Sequence, residues 1–223
     1  EVIYPNPGFP TYEAMIGVAG GVPVPVPLLE SNSFSFDLEA FDKLINKRTK
    51  LIILNSPSNP TGGVIPPEDL EHIARQAQKF DSWIMSDEIY ARIAYDGLQV
   101  SSIASLPGMR ERTIIVDGFS KTYSMTGWRL GYGIMPKELV DCVGLLLTHS
   151  LGSTAHFSQF AGIEAITGPQ DMVDTMVTEY QRRRDVIVTG LNAIPGFSCQ
   201  KPQGAFYAFP NITGTGMKSS ELA

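Results

Sequence analysis

Four consecutive large apolar residues, Leu51-Ile52-Ile53-Leu54, stand between Lys50 and the polar turn Asn55-Ser56-Pro57-Ser58-Asn59-Pro60-Thr61-Gly62-Gly63. A run so short and so wholly apolar fits a strand covered on both faces, the kind found in the parallel sheet of an α/β protein. The pattern recurs. Trp83-Ile84-Met85-Ser86 stops at Asp87-Glu88-Ile89-Tyr90, and Thr113-Ile114-Ile115-Val116-Asp117 stops at Gly118. Between the first two runs, Pro67-Glu68-Asp69 opens a helix with Leu70, Ile73, Ala74, Ala77 and Phe80 on one face. Strand, amphipathic helix and strand make a right-handed parallel crossover, which carries the C-terminal ends of the strands to one edge of the sheet. Asn59, Asp87 and Lys121 each follow such an end. They are expected to converge there, where open α/β sheets place ligand groups.

The connection from Asp117 to Arg129 is too short for a helical crossover. Arg129-Leu130-Gly131-Tyr132-Gly133-Ile134-Met135, closed by Pro136, is therefore expected to run back antiparallel. That return puts Lys121 and Arg129 at the same sheet edge. Taken singly they read as solvated loop charges. Gly118, Gly127, Gly131 and Gly133, which allow close backbone approach, and the hydroxyls of Ser120, Thr122, Ser124 and Thr126 favour instead a site for an anion, phosphate above all. Asp87 by itself reads as a loop acid or helix cap, and Phe9, in the turn Pro5-Asn6-Pro7-Gly8-Phe9-Pro10, as a buried aromatic anchor.

The rest of the chain is consistent with a globular α/β core. The segment Val22 to Leu29 alternates Val with Pro and reads as an edge strand. Asp37 is placed to cap a helix. Helices are expected at about 11–19, 136–149, 158–166 and 169–193, the last burying Met172, Val173, Met176, Val177, Tyr180, Ile187, Val188 and Leu191 and spreading Arg182-Arg183-Arg184 around its outer side. Phe197 onward and Ala205-Phe206-Tyr207-Ala208-Phe209 read as strands. With 17 basic and 23 acidic residues the net charge is −6, which argues against a nucleic-acid surface. Cys142 and Cys199 lack metal-ligand spacing, and no apolar run approaches the roughly 20 residues of a membrane span. No signal peptide precedes the first strand, so a cytoplasmic protein without a membrane partner is the expectation. His72, His149 and His156 fit no catalytic pattern.

The stretch Gly118-Phe119-Ser120-Lys121-Thr122-Tyr123-Ser124-Met125-Thr126-Gly127-Trp128-Arg129 resembles the lysine motif of the class I and II aminotransferases, fold-type I enzymes that use pyridoxal 5'-phosphate (PLP). The string Ser58-Asn59-Pro60-Thr61-Gly62 and the pair Asp87 and Tyr90 match further signatures of that family. The resemblance implies a three-layer α/β/α large domain over 1–170, its sheet mostly parallel with one antiparallel strand. Residues 171–223 would then be a bridging helix and the start of a smaller α+β domain. It implies that Lys121 forms the Schiff base with PLP, Arg129 holds the phosphate, Asp87 bonds the pyridine nitrogen, Tyr90 and Asn59 bond the phenolic oxygen, and Phe9 stacks on the ring. The family often has a phosphate-binding Ser where this chain has Gly118, so that role passes to backbone N–H groups or to Ser120.

Transamination between an amino acid and a 2-oxo acid, by a homodimer, is the implied activity. A PLP-dependent carbon–sulfur lyase and a PLP-binding effector domain of a transcription regulator are the alternatives. Family members extend further at both ends, and Glu1 opening directly into a strand suggests an internal fragment. Its phosphate loop and its substrate-carboxylate Arg would lie outside the chain, so weak or absent turnover by these residues alone is expected.

Overall fold

The computed structural model, which describes residues 1–222, opens with β1 (Val2–Asn6), α1 (Thr11–Val18) and β2 (Pro23–Leu29). The two-residue β3 (Ser35–Phe36), α2 (Leu38–Leu44), β4 (Leu51–Asn55), α3 (Pro67–Phe80), β5 (Trp83–Asp87) and β6 (Thr113–Gly118) follow. Then come the single turn α4 (Phe119–Thr122), β7 (Gly131–Ile134), α5 (Lys137–Ser150), α6 (His156–Thr167), α7 (Asp171–Asn192) and α8 (Ser219–Leu222). The strands form one seven-stranded sheet in the order β3-β2-β1-β4-β5-β6-β7. β1, β2, β4, β5 and β6 are parallel. The expected antiparallel return is β7, and β3 adds a second antiparallel segment at the far edge, pairing Leu28 with Phe36 and Leu29 with Ser35.

The apolar run that begins at Leu51 is covered on both sides, as its composition requires. Ile52 and Leu54 face α2 and α3 with Phe41, Leu70, Ile73 and Ala77, while Ile53 faces the other way onto Tyr4, Tyr12 and Ile16. That alternation is the period of two of a strand, read here as two hydrophobic layers. Local signals hold the helices where the sequence puts them. Asp37 accepts the Ala40 N–H at 3.0 Å at the start of α2, and Pro67 opens α3. In β2 the prolines occupy every second position. Successive N–H groups point to opposite neighbours, so every missing donor falls on one side. β2 pairs with β1 along five residues and on its other side only through Leu28 and Leu29.

Two expectations are corrected. No regular strand forms over 197–209 among the described residues. The segment makes single bridges instead, Gly204 to Ala94 and Ser198 to Asn211. On α7 the buried stripe runs through Val173, Met176, Val177, Tyr180 and Arg184, while Met172 and Ile187 are exposed. Arg184 stands four residues after Tyr180, on the same face, so position along the helix and not charge decides its burial. No described helix is long and apolar enough to cross a membrane.

Candidate active site

β4, β5 and β6 lie side by side with their C-terminal ends at one edge: Asn55 pairs with Asp87, and Asp87 with Val116, two residues before the end of β6. The loop after β4 is stapled to this edge from within. Asn55 Nδ2 donates to the Asp87 carbonyl at 3.1 Å, and its Oδ1 accepts the Asn59 N–H at 2.8 Å. The Asn59 side-chain amide has no hydrogen-bond partner among the described residues. Gly62 closes the loop at φ +72°, where a Cβ would also lie 2.6 Å from Pro202 Cβ, so both the backbone and the space demand glycine. Its carbonyl accepts the N–H groups of Gln203 and Gly204 at 2.9 and 3.0 Å. A segment far along the chain, at Gln203 and Gly204, thus clamps the Asn59 loop.

Asp87 ends β5 half-buried. Its Oδ2 accepts the Tyr12 hydroxyl at 2.6 Å and its Oδ1 the Ile89 N–H at 3.2 Å. Burial pushes the carboxyl above its usual range, and those two hydrogen bonds oppose the push. Tyr12 is buried, and burial together with the Asp87 charge raises its hydroxyl far above an ordinary phenol. Phe9 packs edge-on against the Tyr12 ring at 5.6 Å and is itself 42% exposed, so it is a rim residue and not a buried anchor. Tyr90 is buried. Its hydroxyl lies 2.5 Å from that of Tyr207, and burial followed by this contact raises it.

Lys121 follows β6 in the turn α4. Its Nζ stands 5.5 Å from the Phe206 ring centroid and 5.9 Å from that of Tyr90, and no carboxylate pairs with it among the described residues. Aromatic faces attract an ammonium without neutralising it. Arg129 is exposed at φ +51°, two residues before the return strand, and spends one donor on the Thr126 carbonyl at 2.9 Å. A cavity of about 760 Å³ opens beside it, lined also by Ser124, Trp128, Thr154 and Phe157. Of the four glycines in this region, Gly118 lies against the return strand, where a Cβ would meet Gly131 Cα at 3.0 Å, but Gly127 meets nothing within 4 Å. The Gly118 N–H is already committed to Asp117 Oδ1 at 2.6 Å, and the Phe119 N–H to the Leu130 carbonyl at 3.2 Å. The Ser120 hydroxyl has no partner among the described residues.

The structure therefore gathers Asn59, Asp87, Tyr90 and Lys121 at one sheet edge, with Arg129 at the start of the antiparallel return. It adds four residues that the motifs do not contain: Tyr12, Asn55, Phe206 and Tyr207. Only Asn55 carried a signal, as the polar residue that ends an apolar run.

A family model described as aminotransferase class I and II matches residues 1–223. The chain is 43% identical over 212 residues to an aspartate aminotransferase from Geobacillus stearothermophilus, covering 95% of this chain and 54% of that one. It is 41% identical over 225 residues to an aromatic-amino-acid aminotransferase from Thermococcus litoralis, covering 100% and 58%. A crystal structure of an aromatic aminotransferase from Pyrococcus horikoshii superposes with a TM-score of 0.95 at 39% identity, over 99% of this chain and 60% of that one. The chain spans somewhat more than half the length of these relatives.

Proposed function

The chain belongs to the aminotransferase class I and II family, and from that membership we propose that it works as a PLP-dependent transaminase, moving an amino group between an amino acid and a 2-oxo acid. The observation that carries the reading is a set of unspent polar groups at one sheet edge. Among the described residues Lys121 Nζ has no acid beside it, the Asn59 amide is unpaired, and Arg129 has most of its donors free. Asp87 places its carboxyl group in a desolvated site. An amine, a carboxylate, two neutral donors and a guanidinium fit the aldehyde, ring nitrogen, phenolic oxygen and phosphate of that cofactor.

When bound, PLP supplies an electron-withdrawing ring that stabilises negative charge at the substrate α-carbon. Asp87 would hold a proton on the ring nitrogen, because a fixed anion favours the protonated form of the base it faces. Tyr90 and Asn59 would donate to the phenolic oxygen. The Tyr207 hydroxyl stands 2.5 Å from that of Tyr90, and either can donate to the other. Arg129 would carry the phosphate charge, helped by the Ser120 hydroxyl. The Gly118 N–H is spent on Asp117, so the part of the serine the family often has there would pass to Ser120 or to other backbone N–H groups of the turn. Phe9 would cover one face of the ring. Lys121 Nζ would take the proton from the substrate α-carbon and hold it for return. The rings of Phe206 and Tyr90 would flank the amine on the protein side.

The same reading divides the chain at about residue 170, with 171–223 opening a second domain, and takes the assembly as a cytoplasmic homodimer. It includes weak turnover by these residues alone, which cover 54–58% of the length of the two relatives above. The test is to add PLP to the purified chain, reduce with borohydride and map the modified peptide by mass spectrometry. Specific attachment at Lys121, lost in Lys121→Ala, is expected. Labelling scattered over surface lysines, or unchanged in Lys121→Ala, would sink the assignment.

A further inference from the structure

Tyr12 belongs to none of the motifs, yet among the described residues its hydroxyl is the only side-chain donor to the Asp87 carboxylate. We propose that Tyr12 is a positioning residue: by donating to Asp87 Oδ2 it fixes the orientation of the carboxylate and keeps its charge, leaving the remaining lone pairs to receive a protonated ring nitrogen. The role rests on the transaminase reading above.

The packing around Tyr12 explains why the hydroxyl is there. Its ring is anchored by Tyr4, Ile16 and Ile53 on the second hydrophobic layer, with Phe9 edge-on at 5.6 Å. A phenylalanine would fill that space equally well. The oxygen has one hydrogen-bond partner, Asp87, at 2.6 Å. Burial and the neighbouring anion keep the phenol protonated, so it stays a donor at any working pH.

The surroundings of Asp87 make that donor matter. The titratable groups acting with it are Tyr12 from α1, Tyr90 from the loop after β5 and Asp117 from β6, with Tyr207 acting on Tyr12 and Tyr90. None of these is a cation, and Asp117 is itself an acid raised by burial. Against desolvation stand only the Ile89 N–H and the Tyr12 hydroxyl. The Ile89 N–H is local, two residues on, and travels with the β5 end wherever it goes. Tyr12 is the tie from a different element, and it alone fixes the carboxylate relative to the layer that carries Phe9.

The test titrates Asp87 in the cofactor-free chain by the 13C shift of its carboxyl carbon, assigned with Asp87→Asn. Tyr12→Phe, which keeps the ring, is expected to move the midpoint upward. 3,5-Difluorotyrosine at position 12, a stronger donor of nearly the same shape, is expected to move it downward. Tyr12→Phe should also weaken PLP binding roughly ten-fold, the effect of one hydrogen bond to a charged group, and the deficit should grow as the pH falls. A packing role alone predicts no opposed pair of shifts. An unmoved midpoint in both variants, with far-UV circular dichroism retained, would overturn the assignment. If Tyr12→Phe fails to fold, the fluorinated variant still decides. The titration needs no cofactor, so it stays readable if borohydride fails to label Lys121. Normal labelling with an unmoved midpoint would sink the role of Tyr12 alone.

Discussion

Arg184→Met should destabilise the chain by about 3 kcal/mol, a large effect for a residue on an otherwise polar stretch of helix. Arg184 is 4% exposed in its side chain, donates to Asp96 at 2.8 and 3.1 Å and to the Pro202 carbonyl at 3.1 Å, and stands 4.6 Å over the Tyr95 ring. Methionine fills the volume of the stem, so the loss is polar. Leaving the Pro202 carbonyl without its donor costs roughly 1–3 kcal/mol. Losing a desolvated cation over Tyr95 costs about 1 kcal/mol more. The pair with Asp96 contributes less than its geometry suggests, because Asp96 is 52% exposed, is re-solvated when the arginine leaves, and keeps Lys201 at 3.7 Å. Asp96→Asn should therefore cost under about 1 kcal/mol. Urea melts read both variants. Hydrogen exchange at the Gln203 and Gly204 amides, which bond to Gly62, should accelerate in Arg184→Met and hardly change in Asp96→Asn. Equal losses in the two variants, or a loss below about 1 kcal/mol in Arg184→Met, would show that the arginine works as an ordinary surface ion pair.

Asp87→Asn should raise the thermal midpoint of the cofactor-free chain at pH 7–8. The folded-state carboxyl is raised by burial, so the stability it contributes is complete below the unfolded carboxylate range and is lost as pH rises through the raised value. The gain of the amide should accordingly vanish near pH 3, as scanning fluorimetry across pH would register, while PLP affinity falls at neutral pH. Tyr90→Phe and Tyr207→Phe should each cost about 1 kcal/mol in a urea melt, and the double variant little more than either, since both remove the same 2.5 Å contact. Additive losses would argue that the hydroxyls act independently. Gly204→Ala puts a Cβ 2.5 Å from Pro57 Cγ and 2.8 Å from the Ile93 carbonyl and should cost about 1–3 kcal/mol. Gly127→Ala, with open space around it, should stay within about 0.5 kcal/mol of the parent in the same melt.

Much of the sheet edge was legible because three independent codes agreed there. Apolar runs fixed the strands, the position of each run's end fixed where Asn59, Asp87 and Lys121 would sit, and the short link from Asp117 to Arg129 fixed the antiparallel return. What the sequence hid came from elsewhere in the chain. Tyr12 looks like one more apolar position on α1, and nothing local says that its hydroxyl meets a carboxylate 75 residues on. Tyr207 and Phe206 lie in an aromatic-rich run that reads as a strand, but among the described residues it makes only single bridges, and its side chains serve Tyr90 and Lys121 instead of a ladder. Arg184 was misplaced because a triplet of arginines reads as a polar face. The helical period puts its third member over Tyr95.

The two arginines bring out the difference between what holds this chain together and what it offers to a ligand. Arg184 has Asp96, Asp185 and the Pro202 carbonyl around its guanidinium, and an aromatic face beneath it. A buried cation persists only when it is satisfied in this way. Arg129 makes one hydrogen bond and stands exposed with φ +51°, a conformation that costs a side chain strain and that the neighbouring glycines would adopt freely. A glycine there would relieve the backbone and lose nothing of the fold's own bonding beyond the Thr126 contact. The guanidinium is worth that strain only if something outside the chain's own bonding uses its remaining donors. The same reasoning applies to Lys121, half-buried beside two rings, and to the Asn59 amide, which among the described residues have no acid and no partner respectively. Groups that serve the fold are paired within it, and at this sheet edge the unpaired ones stand together, complementary in charge to a phosphorylated, electron-poor ring.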